Sequence, residues 1–257
     1  MIPPVLLGRP VLAVFAHPDD ESLACGGTLA RLAEEGLRVV VMSASHGERG
    51  AHTGADRDDA LGQRRAQELR AAAEVLGVAQ LIIGDHPDGD LQWAHVSELH
   101  AELVTFMRGH PPAAVITFGE DGLYWHRDHV GVHERTTTAV RSLGDDAPPL
   151  YYVTMAKGVM TTIVQAAKQR GWTSPPHGFW SLAPEAFGLH AEPPTISIDV
   201  KAHVTRKLAA ILCHESQMVD GHPLTDLDAG IAGALLGTEY FHRADIPTTR
   251  PPVLEAL

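Results

Sequence analysis

Cysteine is scarce in this chain: the 257 residues include two, Cys25 and Cys213. That is too few for a disulfide framework, and no CxxC motif is present. Basic residues are also in deficit, 20 Lys and Arg against 32 Asp and Glu, for a formal charge of −12. Binding to nucleic acid or to an anionic membrane surface needs a basic face, so neither partner is expected. No stretch approaches the roughly 18 apolar residues of a membrane span. The first residues lack the charged and long apolar regions of a secretory leader. Cytoplasmic residence is the expectation. Internal repeats and low-complexity linkers are missing as well. The proline pairs Pro148-Pro149, Pro175-Pro176, Pro193-Pro194 and Pro251-Pro252 punctuate loops instead.

What is present is a regular alternation of apolar runs and amphipathic stretches. Strands are predicted at about 10–16, 38–45, 80–84, 112–118, 149–155 and 194–199. Helices are predicted at about 22–35, 60–76, 95–109, 128–142, 158–170 and 201–216. Such alternation implies an α/β, Rossmann-like fold, a mostly parallel sheet with helices on both faces. The length suits one domain over 1–257, with a core at about 10–155 and a small C-terminal elaboration at about 156–257. The segment 171–192 holds Trp172, Phe179, Trp180 and Phe187. It is long enough for a lid or substrate wall, and equally suits a loop packed onto the domain.

Chemistry concentrates at two strand ends. His17-Pro18-Asp19-Asp20-Glu21 directly follows the apolar run Val11 to Ala16. In an open α/β sheet, ligands bind outside those carboxyl ends. His17 and Asp20, three residues apart, can hold a divalent metal and leave Asp19 free for proton transfer. The same residues also make good turn and helix-start chemistry. A second cluster, Tyr124-Trp125-His126-Arg127-Asp128-His129, follows the predicted strand that ends at Phe118. A catalytic zinc site takes three protein ligands and one open position. His17, Asp20 and a histidine of the second cluster would supply them.

These two motifs, with Ser45-His46-Gly47-Glu48-Arg49-Gly50 between them, resemble the signature of the LmbE-like, or PIG-L-like, zinc deacetylases. The resemblance runs from about Val11 to Gln217. Beyond Tyr152 it is thin, resting on Lys207 and His214-Glu215-Ser216-Gln217. It implies Zn2+ as cofactor and hydrolysis of the N-acetyl amide of an amino sugar or its conjugate. By position it implies His17, Asp20 and His129 as zinc ligands and Asp19 as general base. It further implies His126 as the group that protonates the leaving amine or steadies the oxyanion. Asp128 would orient a histidine, and Tyr124 is a second candidate oxyanion donor. The family often has Pro where this chain has Arg127, which bears on the local turn. Glu48, Arg65, Asp88 and His214 are the candidates for substrate contact, with Arg64 and Glu68 on the same predicted helix as Arg65.

Rival readings are specific. His129 and His133 are four apart and can pair on a helix face, but the Glu of an HExxH site is missing, since residue 130 is Val130. His46, His52, His86 and His222 read as solvated or supporting histidines. Cys25, beside Gly26-Gly27, reads as a small packing residue. An amidase acting on a larger acyl or thiol conjugate is the alternative enzyme. A nucleotide-binding oxidoreductase lacks its GxGxxG. A catalytically silent metal-binding domain would need neither Asp19 nor His126. The expected partner is a small N-acetylated sugar or conjugate, and a homo-oligomer remains open.

Overall fold

The apolar run that precedes His17 forms β1 (Pro10–Phe15), whose six residues are all buried. Burial on both faces is the mark of a central parallel strand. A computed structural model describes residues 6–50, 58–93, 96–175, 179–188, 193–218, 222–225 and 227–257. In it β1 pairs in parallel with β2 (Arg38–Ser43) on one side and β4 (Ala114–Phe118) on the other. β3 (Gln80–Ile83) and β5 (Leu150–Thr154) extend the parallel sheet outward. Two further strands, β6 (Ile196–Asp199) and β7 (Thr238–Arg243), add to the β5 edge in antiparallel sense. Among the described residues the sheet has seven strands in the order β3-β2-β1-β4-β5-β7-β6.

The order reverses between β1 and β4. Right-handed crossovers running in opposite directions put their helices on opposite faces. α1 (Asp20–Glu34) and α2 (Asp58–Leu76) therefore cover one face, joined by α7 (Val204–Leu212). α3 (Val96–Gly109) and α5 (Arg127–Arg141) pack together on the other, α5 following the one-turn α4 (Gly122–Trp125). The reversal opens a crevice at the carboxyl ends of β1 and β4, where His17 and His126 lie. Beneath it Phe15 and Phe118 meet edge to face, their centroids 5.1 Å apart. A second, smaller apolar cluster joins α6 (Val159–Gln169), α7 and α8 (Ala229–Leu236) through Met160, Ile163, Ile211 and Leu236. No helix among the described residues is long and apolar enough to cross a membrane.

Two elements, β7 and α8, are additions to the sequence expectation. In β7 the buried Glu239 and Phe241 alternate with half-buried Tyr240 and His242. An inward-pointing carboxylate hides the period-two apolar signal. α8 is the glycine-rich Ala229-Gly230-Ile231-Ala232-Gly233 stretch, which propensity marks as a poor helix former.

Glu239 points inward because α1 is broken. Cys25 has non-helical torsions (φ −147°, ψ 22°), and the helix restarts at the glycine pair. The break frees the amides of Gly27 and Thr28, which donate to Glu239 Oε1 and Oε2 at 2.9 and 2.7 Å. Lys207 Nζ supplies the counter-charge at 2.6 Å, itself buried. Gly27 is required: a Cβ there would stand 2.7 Å from Val200 Cβ. Burial pushes the Cys25 thiol well above its ordinary pKa, consistent with a packing residue.

Glu239→Ala strands a buried ammonium and two helix amides. It should lower stability by about 3–5 kcal/mol, read from urea unfolding. Glu239→Gln, which keeps one acceptor oxygen, should cost less.

Candidate active site

The chain leaves β1 in a tight turn. His17 N–H donates to Asp20 Oδ2 at 2.8 Å, and Asp19 takes φ 112°, ψ −28°. That conformation costs a non-glycine residue roughly 1–3 kcal/mol and persists only where neighbours enforce it. Three groups do so. Glu21 Oε2 accepts the Asp19 N–H at 3.1 Å. Arg65 on α2 donates to Pro18 O at 2.5 Å and to Asp19 Oδ2 at 3.1 Å. Its other terminal nitrogen donates to Gly47 O at 2.7 Å, tying in the loop after β2.

His17 is held by carboxylates. Its Nε2 lies 3.0 Å from Asp128 Oδ2 and 3.1 Å from Asp88 Oδ1, while Nδ1 lies 3.4 Å from Asp20 Oδ2. Carboxylates only accept, so each ring nitrogen turns a proton towards its carboxylates; a bound cation would take the place of the Nδ1 proton and leave Nε2–H on Asp128 and Asp88. Burial opposes protonation of His17, but Asp128, Asp20 and Asp88 outweigh it and hold its pKa well above the ordinary value. Burial likewise opposes ionisation of Asp88 and Asp20. His17 outweighs it at Asp88, and His129 with His17 outweighs it at Asp20, so both stay well below the carboxylate range.

His129 comes from the first turns of α5 and stacks on Phe118 at 3.9 Å. Its Nδ1 sits 3.0 Å from Gly122 O, an acceptor, so Nδ1 carries the proton. Nε2 is buried and lies 3.2 Å from Asp20 Oδ1. Gly122 allows this close approach, since a Cβ there would meet His129 Cβ at 2.8 Å. His17 Nδ1 and His129 Nε2 thus flank the two oxygens of Asp20, and each can give an electron pair once its proton is lost to a cation. In a tetrahedral zinc site with bonds of about 2.1 Å, donor atoms lie about 3.4 Å apart. The 3.4 and 3.2 Å separations fit a cation of that size. Nitrogens of His17, His126 and His129 also lie within 4.8 Å of one another.

His126 rests edge-on against His17, centroids 4.9 Å apart, and has a buried Nδ1 without a partner. Burial, aided by repulsion from His129 and His17, lowers its pKa to about 4. The neutral imidazole is favoured, the form that suits the second of its two expected roles, steadying an oxyanion. Burial raises the pKa of Asp19, with the Arg65 charge opposing. Burial also raises Tyr124 well above the phenol range. Tyr124 lies edge-on to His129 at 5.2 Å.

Several sequence-selected residues have other work. Asp128 is fully buried; besides His17 it accepts the Gly89 and Leu91 amides at 2.7 and 2.9 Å. It positions His17 and has no surface from which to touch substrate. Asp88 also accepts Arg49 N–H, and Glu48 accepts Asp88 N–H, so both carboxylates brace loops. Arg65 is committed to Pro18, Gly47 and Asp19 rather than to substrate. Glu68 accepts from Ser216 N and Oγ, both at 2.7 Å, and is bonded to Arg64. His214 is buried, its Nε2 3.1 Å from Glu21 Oε1. Burial opposes its protonation, but Glu21 outweighs this and raises its pKa. Glu21, which sequence reasoning left without a role, thereby links His214 to Asp19; its place in the first motif was the available signal. His133 turns away to Phe118 O at 2.9 Å. His46 and His86 pair with Asp85 and Glu102, and His222 accepts from Trp180 Nε1. His52 lies outside the described residues.

The site opens into a cavity of about 1100 Å³. Of the 171–192 segment, Phe179, Trp180, Leu182 and Phe187 line it, the wall rather than a loop packed elsewhere.

Comparison with known proteins agrees with this geometry. The PIG-L family model, described as GlcNAc-PI de-N-acetylase, matches residues 12–140, the span carrying both motifs. A 1D-myo-inositol 2-acetamido-2-deoxy-alpha-D-glucopyranoside deacetylase of Thermobispora bispora is 34% identical, the match covering 91% of this chain and 87% of that protein. An N,N'-diacetylchitobiose deacetylase from Pyrococcus horikoshii superposes with a TM-score of 0.63 at 20% identity, over 92% of this chain and 84% of that one. GalB, the 4-carboxy-2-hydroxymuconate hydratase of Pseudomonas putida, superposes with a TM-score of 0.62 at 22% identity, over 95% and 100%. The last two establish the fold alone. With the family model spanning both motifs and a relative above 30% identity along nearly the whole chain, this protein belongs to the PIG-L family.

Proposed function

We propose that this chain hydrolyses the N-acetyl amide of an amino-sugar conjugate, releasing acetate and a free amine, with one zinc ion held by His17, Asp20 and His129. The observation that carries this reading is the meeting of two buried imidazoles, through His17 Nδ1 and His129 Nε2, on the two oxygens of Asp20 beside the strained Asp19. A silent metal-binding domain would gain nothing from the strain at Asp19. When bound, zinc lowers the pKa of water to about 7 and polarises an amide carbonyl.

The chain's own residues supply the rest. Asp19 accepts the proton of the attacking water; ligation leaves no such lone pair on Asp20. The neutral His126 imidazole offers an N–H to the developing oxyanion, with the protonated Tyr124 hydroxyl as a second donor. Asp19, having taken one proton, returns it to the departing amine. Asp128 and Asp88 fix the His17 tautomer, as ligand imidazoles require. Arg65 and Glu21 hold Asp19 in place. We further propose that 1–257 acts as one domain, since β6 and β7 complete the sheet begun by β1. Two unpaired cysteines suit a cytoplasmic setting.

Asp19→Ala should retain one zinc per chain by metal analysis, yet lose roughly 10²–10⁴ in kcat for acetate release. His129→Ala should lose metal and activity together. An Asp19→Ala enzyme within a few-fold of wild type would falsify the assignment of the base.

The pH profile tests Arg65. Asp19 must be ionised, so activity falls as pH drops through its raised pKa. Arg65→Gln removes the cation that lowers that pKa, and the acid limb of kcat/KM should move to higher pH.

His126→Gln keeps a hydrogen-bond donor but cannot transfer a proton. With His126 already neutral, the basic limb should persist, and the rate loss should be equal for N-acetyl sugars and for an acetanilide. A flattened basic limb with the loss confined to the sugars would restore His126 as the acid.

A further inference from the structure

The cavity beyond His17 and Asp19 is larger than an acetamido sugar alone requires. Small-molecule pockets usually measure roughly 300–1,000 Å³, and this one reaches about 1100 Å³. Its two sides differ in chemistry. Arg49 and Arg127 line the side next to the strand ends, where sugar hydroxyls find partners. The rest of the lining includes Val159 and Ile163 of α6, Leu235 of α8 and Phe179, with Met155 just after β5 and Leu23 from α1. Most of these are only half-buried, and Leu182 is 40% exposed. Protein interiors leave few voids larger than a water molecule, so apolar side chains facing a space of this size are not a packing defect. They are surface that a ligand can cover.

The polar groups on that side do not change its character. Lys207 and Glu239 neutralise one another, and Trp180 Nε1 is spent on His222. The apolar wall is also continuous with the chemistry. Phe179 packs edge-on to Tyr124 at 5.0 Å, and Tyr124 packs edge-on to His129 at 5.2 Å. Thr154, Ser181, Gln217, Thr238 and Tyr240 also reach the lining, but a polyol set against Met155, Val159, Ile163 and Leu235 would lose water without gaining partners there, whereas an alkyl or aryl group gains from leaving water.

We propose that the substrate is an amino-sugar conjugate with an apolar aglycone, seated against α6, α8 and residues 179–187. The proposal rests on the deacetylase reading above. It differs from the inositol-bearing compound named for the Thermobispora bispora relative.

The test uses the full-length zinc-loaded enzyme and acetate release from the methyl, octyl, phenyl and myo-inositol glycosides of N-acetylglucosamine. N-octanoylglucosamine is followed in parallel by amine release. Each buried methylene is worth about fourfold, so even partial burial of the octyl chain should raise kcat/KM about tenfold or more over the methyl glycoside. The gain should lie mainly in KM. Leu235→Asp and Met155→Glu, at half-buried wall positions, should abolish that preference, bringing the octyl-to-methyl ratio of kcat/KM to about one. A preference for the inositol glycoside, or no gain from octyl over methyl, overturns the proposal. So does a preference for N-octanoylglucosamine, which would make the void an acyl pocket. If no N-acetyl sugar releases acetate, the deacetylase reading itself fails. Tryptophan fluorescence with octyl 2-amino-2-deoxyglucoside then decides the cavity separately: saturable binding lost in Leu235→Asp supports an apolar subsite, and absence of binding removes it.

Discussion

A carboxylate sealed from water must find its donors within the protein, and Asp128 finds three. It accepts from His17 Nε2, from Gly89 N–H and from Leu91 N–H, and so joins the end of β1, the loop after β3 and the start of α5. These segments are remote in sequence and meet only where the strand order reverses. Asp128 thereby fixes which nitrogen of His17 carries a proton and where the ring points. His129 directly follows Asp128 on the chain, so the same anchor sets the distance between the two imidazoles. Asp20, Asp19 and His126 are arranged around that pair. A buried, fully bonded ionic network of this kind is justified by geometry rather than by stability.

Much of this arrangement was legible in the sequence, and the reasons are physical. Val11 to Ala16 and Ala113 to Phe118 are apolar without interruption because strands buried on both faces cannot alternate. The polar residues that break those runs mark the crevice. Asp128 was foreseen as orienting a histidine, but a sequence does not say which; the identity, His17, depends on chain segments brought together by folding. The same limit explains Glu48, Arg65 and Asp88, polar residues near a pocket that turn their functional groups to backbone amides, carbonyls and other side chains. Burial, which decides between bracing a loop and touching a ligand, is a tertiary property. It also lowers the pKa of His126, and residue type alone does not carry that information.

The likeness to GalB shows that this sheet, with much the same helices around it, also supports a hydratase in Pseudomonas putida. Fold therefore does not choose the reaction. In this chain we assign the choice to His17, Asp19, Asp20, His126 and His129, and the shape of the substrate to a different part of the molecule, α6, α8 and the aromatic residues 179–187. This division leaves reaction chemistry and substrate range on separate elements.

The break in α1 at Cys25 has a consequence for how the protein is made. The helix that begins at Asp20 is completed only when Gly27 meets Glu239, 212 residues further along. A polypeptide emerges from the ribosome amino end first, so the motif that carries Asp19 and Asp20 appears early and waits. Its supporting carboxylate is synthesised 212 residues after Gly27. A nascent chain that has not yet reached Glu239 therefore carries Asp19 and Asp20 without the contact that completes their helix.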